Sequence, residues 1–284
     1  MRVMVTGSRG KVGRAAVKAL SDAGHDVHGV DLASPNYDDP LPYVRADVTE
    51  AADMFAVIRN VDAVVHAAGI PEPTKDVAHK VFSTNTMGAF NVIEACVAAG
   101  VSRLVNISSD SVPGYTWSGG RITPSRYPID ETHANSPIDP YALSKLFGEQ
   151  LCDAACRRAE IDAVSIRATW VITPETYAAN LGPITADPTI GSAVFWSYID
   201  VRDLADLIVL ATEQPVSGHE VVFAAAEDNI GGRDIRNAIE TAYPDVTIDR
   251  IERADAGGYD ITKARRLFGW KPVHSWRDHL VEPR

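Results

Sequence analysis

The chain has 284 residues, 45% hydrophobic and 23% charged, with 20 glycines and 17 prolines, which excludes disordered and fibrous classes and suits one large α/β domain with room for a small lobe. A formal net charge of −11 opposes binding to nucleic acid or to an anionic bilayer, since both need clustered Lys and Arg. No run of eighteen apolar residues occurs and "MRVMVTG" enters a strand without a cationic leader, so a cytoplasmic protein with no membrane partner is expected.

The first predicted strand is "RVMVT" at residues 2–6. It runs into a turn with Gly7, Gly10 and Gly13, then into a helical alternation closed by Gly24 as a left-handed cap, then into the strand "DVHGVD" at 26–31. Strand, glycine turn, helix and strand in this order is the context that makes a dinucleotide fingerprint credible. Gly7 permits the tight turn, Gly10 lets the backbone approach a pyrophosphate, and Gly13 lets the helix pack on the strand, while the helix N-terminus attracts phosphate charge. Lys11 and Val12 belong to the same turn. Asp31 ends the second strand, where a carboxylate accepts hydrogen bonds from ribose hydroxyls and repels a 2′-phosphate, which favours NAD over NADP. Leu32 follows it. Arg9 pulls gently the other way, and equally suits pyrophosphate contact or solvent. Asp47 and Val48 follow a third strand and either border the adenine or, with Thr49, belong to a helix cap.

Two further buried strands are predicted at 62–69 and 103–109. Each ends in small or polar residues, and ligands in doubly wound sheets sit beyond the carboxyl ends of the strands. Ala67, Ala68, Gly69, Ile107, Ser108 and Ser109 are therefore expected to face one crevice, joined from the next strand end by Ala168, Thr169, Trp170 and Val171. Cys96, Cys152 and Cys156 form no paired framework, and the eight histidines no HxH or HExxH pattern, so no metal is expected.

The chain carries two tyrosines with a lysine four residues on, Tyr141 with Lys145 in "YALSK" and Tyr259 with Lys263 in "YDITK". Tyr141 stands downstream of the serine-ended strand and opens the apolar-periodic stretch "ALSKLFGEQLCDAAC", which puts Tyr141 and Lys145 one helical turn apart on one face. Tyr259 falls after the nucleotide-binding strands, and Asp260 or Thr262 reads better as the cap of "KARRLFG". The first pair is the catalytic candidate and the second a decoy. An ammonium about 4 Å from the phenol, at an effective dielectric near 20, favours phenolate by about 4 kcal/mol, on the order of three pKa units. That shift would bring the phenol near 7, where it serves as a base.

"TGSRGKVG", "HAAG", "NTMGAFNVIEA", "ISSDSVPG", "YALSK", "YIDVRDLA" and "DITKARRLFGWKP" together resemble an extended short-chain dehydrogenase/reductase of the NAD-dependent epimerase/dehydratase kind, along essentially the whole chain. The resemblance implies that Tyr141 exchanges the substrate hydroxyl proton, that Lys145 also binds the nicotinamide ribose, and that Ser109 bonds the reacting oxygen, with Ser108 as fallback. Asn85 resembles the family's supporting helix asparagine. It also implies a homodimer through the helices around "NTMGAFNVIEACVAAG" and "YALSKLFGEQLCDAAC".

The departures bear on substrate. Nucleotide-sugar dehydratases resemble this chain but carry Thr-Asp-Glu where it has Ser109, Asp110 and Ser111, so the elimination glutamate is missing; Asp110 and Ser111 are expected instead to contact substrate hydroxyls. The insert at 174–195 has no Lys or Arg, and Trp196 stands where the family often places an arginine for a diphosphate. Uronate dehydrogenases are similarly compact but supply an arginine this stretch lacks. Arg121 and Arg126 lie in the loop before Tyr141, and Tyr115, Trp117, Phe195 and Trp196 either wall a sugar face or pack the lobe.

The fold class expected is α/β, a Rossmann doubly wound parallel sheet with a small C-terminal substrate lobe. Residues 1–170 form the NAD-binding domain with a substrate loop at 111–138, and 171–284 mostly form the lobe, with 198–212 returning to the core. The function expected is hydride transfer between a secondary alcohol carbon of a small sugar-like substrate and NAD. The alternatives are a nucleotide-sugar 4-epimerase with tightly bound NAD, finding its phosphate partners in Arg121, Arg126 or Arg202, and an NAD sensor without turnover.

Overall fold

In the computed structural model, which describes residues 1–34, 42–187, 190, 195–249 and 251–280, the first element is β1 (Arg2–Thr6), an apolar run buried from Val3 onward. It is followed by α1 (Lys11–Asp22), β2 (Asp26–Asp31), β3 (Tyr43–Arg45), α2 (Ala51–Val57), β4 (Ala63–His66), α3 (Ala78–Ala99) and β5 (Arg103–Ser109). Then come β6 (Arg126–Tyr127), α4 (Pro140–Arg158), β7 (Asp162–Ala168), β8 (Val171–Ile172), a 3-10 turn at Pro174–Thr176, α5 (Tyr177–Ala186), β9 (Ile199–Asp200) and α6 (Val201–Glu213). The last elements are β10 (His219–Ala224), α7 (Ile235–Ala242), β11 (Thr247–Ile248), α8 (Thr262–Phe268) and α9 (Arg277–Leu280).

Seven strands form one parallel sheet in the order β10-β7-β5-β4-β1-β2-β3. Strands buried on both faces read as near-continuous apolar runs, as β1 and β4 do; β5 and β7 are buried along most of their length yet carry polar residues. One core packs α1 and α6 against the sheet and continues into the lobe; the other packs α2, α3 and α4. The chain leaves β1 toward β2 and β3, then returns to β4 on the other side of β1. That reversal opens the crevice in which such sheets bind ligands.

Polar residues inside the sheet are paired rather than exposed. Asn106 Nδ2 donates to Ser165 Oγ at 3.1 Å, and Ser165 Oγ lies 2.9 Å from His219 Nε2, a polar rung across β5, β7 and β10. The sheet therefore takes its outer strand from residues 219–224, beyond the returning segment expected at 198–212. The short pairs β11-β6 and β8-β9 belong to the lobe side, built from the loop before α4, α5 and the C-terminal elements.

Candidate active site

The glycine turn separates into packing and binding roles. Gly7 has φ +66°, and a Cβ there would lie 2.6 Å from the Ala68 nitrogen; a Cβ on Gly13 would lie 2.0 Å from the Gly7 oxygen. Both positions are closed to any side chain by the protein itself. Gly10 has an ordinary φ of −72°, and its Cβ would meet only the Gly7 oxygen, at 3.2 Å. A side chain there is excluded only by whatever approaches from outside. Gly10 also caps α1 with no side-chain hydrogen bond and the first turn carries no acidic residue, so the N-terminal amides stand ready for an anion. These residues fit a dinucleotide pyrophosphate.

Asp31 is held at the end of β2 by two backbone donors, Arg9 N–H at 3.0 Å and Ala33 N–H at 3.1 Å, with Leu32 exposed beside it. The Arg9 guanidinium stacks 4.3 Å from the centre of the Tyr43 ring. Lys11 donates to the Val171 carbonyl at 2.8 Å, tying the turn to β8; burial lowers its pKa. Asp47 accepts from Thr49 N–H and Oγ1, both at 2.8 Å, holding a turn, while the N-cap of α2 is Glu50 and not Asp47 or Thr49. Val48 is buried, and its carbonyl accepts from Asn91 at 3.0 Å.

Ser109, Tyr141 and Lys145 converge beyond β5. Asp139 caps α4 by accepting from Ala142 N–H at 2.9 Å with Pro140 at the first helical position, which sets Tyr141 and Lys145 one turn apart facing the strand end. Tyr141 is 8% exposed, and the Ser109 hydroxyl is near enough to its phenol to favour the phenolate. Ser111 fixes Ser109 by donating to its Oγ from N–H at 3.1 Å and from Oγ at 2.9 Å. Ser108, the fallback, points to the helix side and donates to Glu149 at 2.6 Å. Lys145 Nζ donates to the Ile107 carbonyl at 2.8 Å and sits 5.7 Å from the centre of the Tyr141 ring.

The depressed phenol expected from the sequence is not what these residues produce on their own. Burial pushes the Tyr141 phenol well up, the nearby Ser109 hydroxyl only partly opposes it, and Asp110, Asp139 and Glu72 add to the rise. Burial also lowers Lys145 to about 8, against the attraction of Glu149. The cost of burying a phenolate is the first cause acting on Tyr141, and Lys145 is not among the leading groups acting on it.

Asn85 braces this arrangement. Its Oδ1 accepts from Ile70 N–H at 2.7 Å, and its Nδ2 donates to the Ile70 carbonyl at 3.0 Å and to Ser144 Oγ at 3.2 Å. Ser144 in turn donates to the Tyr141 carbonyl at 2.7 Å. Gly69 has φ +153°, and a Cβ there would stand 2.9 Å from Asn85 Oδ1. Asn85 thus clips the loop after β4 to the helix that carries Tyr141. Ala67 and Ala68 enclose the glycine turn from this side, and His66 beneath them bonds Thr6 Oγ1 at 2.8 Å. Burial and the charge of Lys145 lower His66 to about 3, so its imidazole is neutral.

A family model described as "NAD dependent epimerase/dehydratase family" matches residues 3–226. The chain belongs to the NAD-dependent epimerase/dehydratase family. The chain is 29% identical to the UDP-glucose 4-epimerase of Azospirillum brasilense, over 99% of this chain and 90% of that protein. It is 27% identical to the L-arabinose 1-dehydrogenase (NAD(P)(+)) of Haloferax volcanii, over 95% of this chain and 96% of that protein. The structure of a short-chain dehydrogenase/reductase superfamily protein from Agrobacterium tumefaciens with bound NAD superposes with a TM-score of 0.76 at 22% identity, covering 99% of this chain and 95% of that one.

The other residues singled out in the sequence are placed as follows. Thr169, read from the sequence as a substrate contact, donates its hydroxyl to the Ala224 carbonyl at 3.1 Å, where β7 ends against β10. Ala168, buried, is paired with Ser109 across β5 and β7; Trp170 and Val171 are partly buried where the chain crosses to β8. Tyr259 and Lys263 do not act as a pair, since Lys263 bonds Glu220 at 2.8 Å. Yet Tyr259 is no bystander: its hydroxyl reaches Asp110 at 3.4 Å. Among the aromatics, Tyr115 and Phe195 pack edge to face at 6.0 Å and Trp196 donates to the Ile190 carbonyl at 3.1 Å, so these three pack the lobe while Trp117 is 39% exposed. Residues 188–189 and 191–194 of the arginine-free insert lie outside the described residues.

Sequence reasoning also missed the buried pair behind Lys145. Glu149, one turn further along α4, accepts from Arg167 Nε at 2.9 Å and Nη2 at 2.7 Å, and Arg167 Nη2 donates to Asn135 Oδ1, in the loop before α4, at 2.8 Å. A charged residue at the same helical spacing as Tyr141 and Lys145, and an arginine inside an apolar strand, were the available signals. Among the described residues no His, Cys, Asp and Glu cluster is arranged to hold a metal, and no helix is long and apolar enough to cross a membrane.

Proposed function

We propose that the protein is an NAD-dependent oxidoreductase that moves hydride between a secondary alcohol carbon of a small sugar-like molecule and the nicotinamide ring. The carrying observation is the meeting of Ser109, Tyr141 and Lys145 at the strand ends beside a glycine turn open only at Gly10. The turn, the α1 amides and Asp31 would hold the dinucleotide, and Lys145 would bind its ribose. NAD supplies the hydride acceptor and, when oxidised, a positive ring. Ser109 orients the substrate hydroxyl by hydrogen bonding, and Tyr141 takes its proton in the oxidative direction. Because burial alone holds the phenol protonated, Tyr141 becomes basic only when positive charge is brought against it.

Of the cations considered for a diphosphate, two are already engaged by carboxylates. Arg126 is bound to Asp130 at 2.7 Å and faces Asp249 at 3.6 Å, Arg202 is bound to Asp200 at 2.8 Å, and Arg121 is exposed on the loop. Tyr141→Phe tests the reading. It should bind NAD with unchanged affinity and lose turnover by about 10²–10⁴-fold, the usual worth of a general acid–base group; full turnover in this variant would refute it. The same reading carries a cytoplasmic homodimer joined through α3 and α4, which pack together and leave Met87 and Phe90 exposed. Sedimentation of the purified protein tests the dimer.

A further inference from the structure

We propose that Asp110 and Tyr259 form a hydroxyl-reading pair that favours neutral polyhydroxylated substrates at the reacting carbon and turns away sugar acids; the proposal rests on the oxidoreductase reading above. Asp110 directly follows Ser109, is 5% exposed, and is fixed by its N–H donating to the Ala168 carbonyl at 3.1 Å. Its carboxylate meets three hydroxyls: Ser109 Oγ at 3.2 Å, Tyr259 Oη at 3.4 Å and Thr116 Oγ1 at 3.5 Å. All three bonds are long, since a hydroxyl normally approaches a carboxylate to about 2.5–2.7 Å. A buried carboxylate with three weak donors retains capacity for a short bond from a ligand hydroxyl.

Tyr259 is held in place to share that task. Its ring packs against Phe223 at 4.9 Å and Phe195 at 6.1 Å, and its backbone bridges to Ile129. The fold therefore brings a C-terminal residue against the residue next to the catalytic serine. No cation is among the groups acting on Asp110. Lys145 donates to the Ile107 carbonyl on the cofactor side, Arg253 is bound to Asp255 and Glu227, and Arg265 to Glu227. A second anion placed about 4 Å from an ionised Asp110 would be disfavoured by about a hundredfold or more. A sugar hydroxyl there donates into the carboxylate instead.

The test compares kcat/KM for NAD reduction with neutral aldoses and polyols against the uronates of matching configuration, for wild type, Asp110→Asn and Tyr259→Phe. Burial lifts the Asp110 carboxyl to about 7, so the assays run well above that pH, where it is ionised. Retained NAD affinity shows that each variant is folded. Wild type should favour the neutral substrate by about a hundredfold or more. Asp110→Asn should cut kcat/KM for it by about 10- to 100-fold while narrowing the gap to the uronate, and Tyr259→Phe should act in the same direction but less. NADH formed from a uronate at the aldose rate, or a gap unmoved by Asp110→Asn, overturns the pair as a filter and leaves the oxidoreductase reading intact. Interconversion of a nucleotide sugar without NADH release overturns both.

Discussion

Replacing Gly10 by alanine separates binding from folding. Its φ of −72° and ψ of 170° are open to alanine, and the new methyl would meet only the Gly7 oxygen, at 3.2 Å, which a few tenths of an ångström relieves. Loss of backbone freedom in the unfolded chain stabilises such a change by about 0.4–1 kcal/mol, and alanine as an N-cap costs a comparable amount. The melting temperature should therefore move by no more than about 4 °C. The methyl nevertheless stands where the pyrophosphate must reach the α1 amides, and losing one charge-assisted bond there costs about 1.5–3 kcal/mol, or a rise of about 10- to 100-fold in the Kd for NAD. Gly13→Ala is the contrast: its Cβ would lie 2.0 Å from the Gly7 oxygen, so α1 and the turn must part by about 1 Å, and overpacking should cost about 1–3 kcal/mol of stability as well as NAD binding. Calorimetric titration with NAD and a thermal melt measure the two effects. A Gly10→Ala protein that binds NAD unaltered, or melts as early as Gly13→Ala, would refute this account of the turn.

Arg167→Met leaves Glu149 as a buried carboxylate without its ion-pair partner and should destabilise by about 3–5 kcal/mol, read by urea unfolding. Asp110, raised by burial from 3.8 to about 7, binds a proton in the folded state that the unfolded chain has released between those values, so stability from this residue is full below the lower pH, falls through the window and is gone above it. Asp110→Asn should remove that fall, raising stability relative to wild type at pH 8 by at most about 4 kcal/mol, and parallel melting curves across the window would contradict it. Asp31→Asn removes the charge that repels a 2′-phosphate and should relax the preference for NAD over NADP by about tenfold, measured as the ratio of Kd values.

The nucleotide half was legible because its signals are local. Gly7, Gly10, Gly13 and Asp31 lie within one strand-turn-helix-strand unit, where spacing and conformation decide role. Tyr141 and Lys145 were legible for the same reason, being one helical turn apart on one face. What escaped depends on chain segments far apart. Tyr259 reads as a decoy by spacing, but it closes on Asp110 across 149 positions, which no window on the sequence contains. The strand at 219–224 is apolar enough to belong to the core or the lobe, and its partner β7 decides. The electrostatics were misjudged for a different reason: proximity of Lys145 to Tyr141 followed from spacing, whereas burial of both did not, and burial is the larger effect on each.

The most direct test of the central claim is NADH formation by the purified protein given excess NAD and a panel of free sugars, polyols, sugar acids and nucleotide sugars. Sustained NADH release with a neutral sugar or polyol, absent from Tyr141→Phe, is the predicted result. Silence across the panel, with a nucleotide sugar interconverted and NAD recovered from the denatured protein, would contradict it.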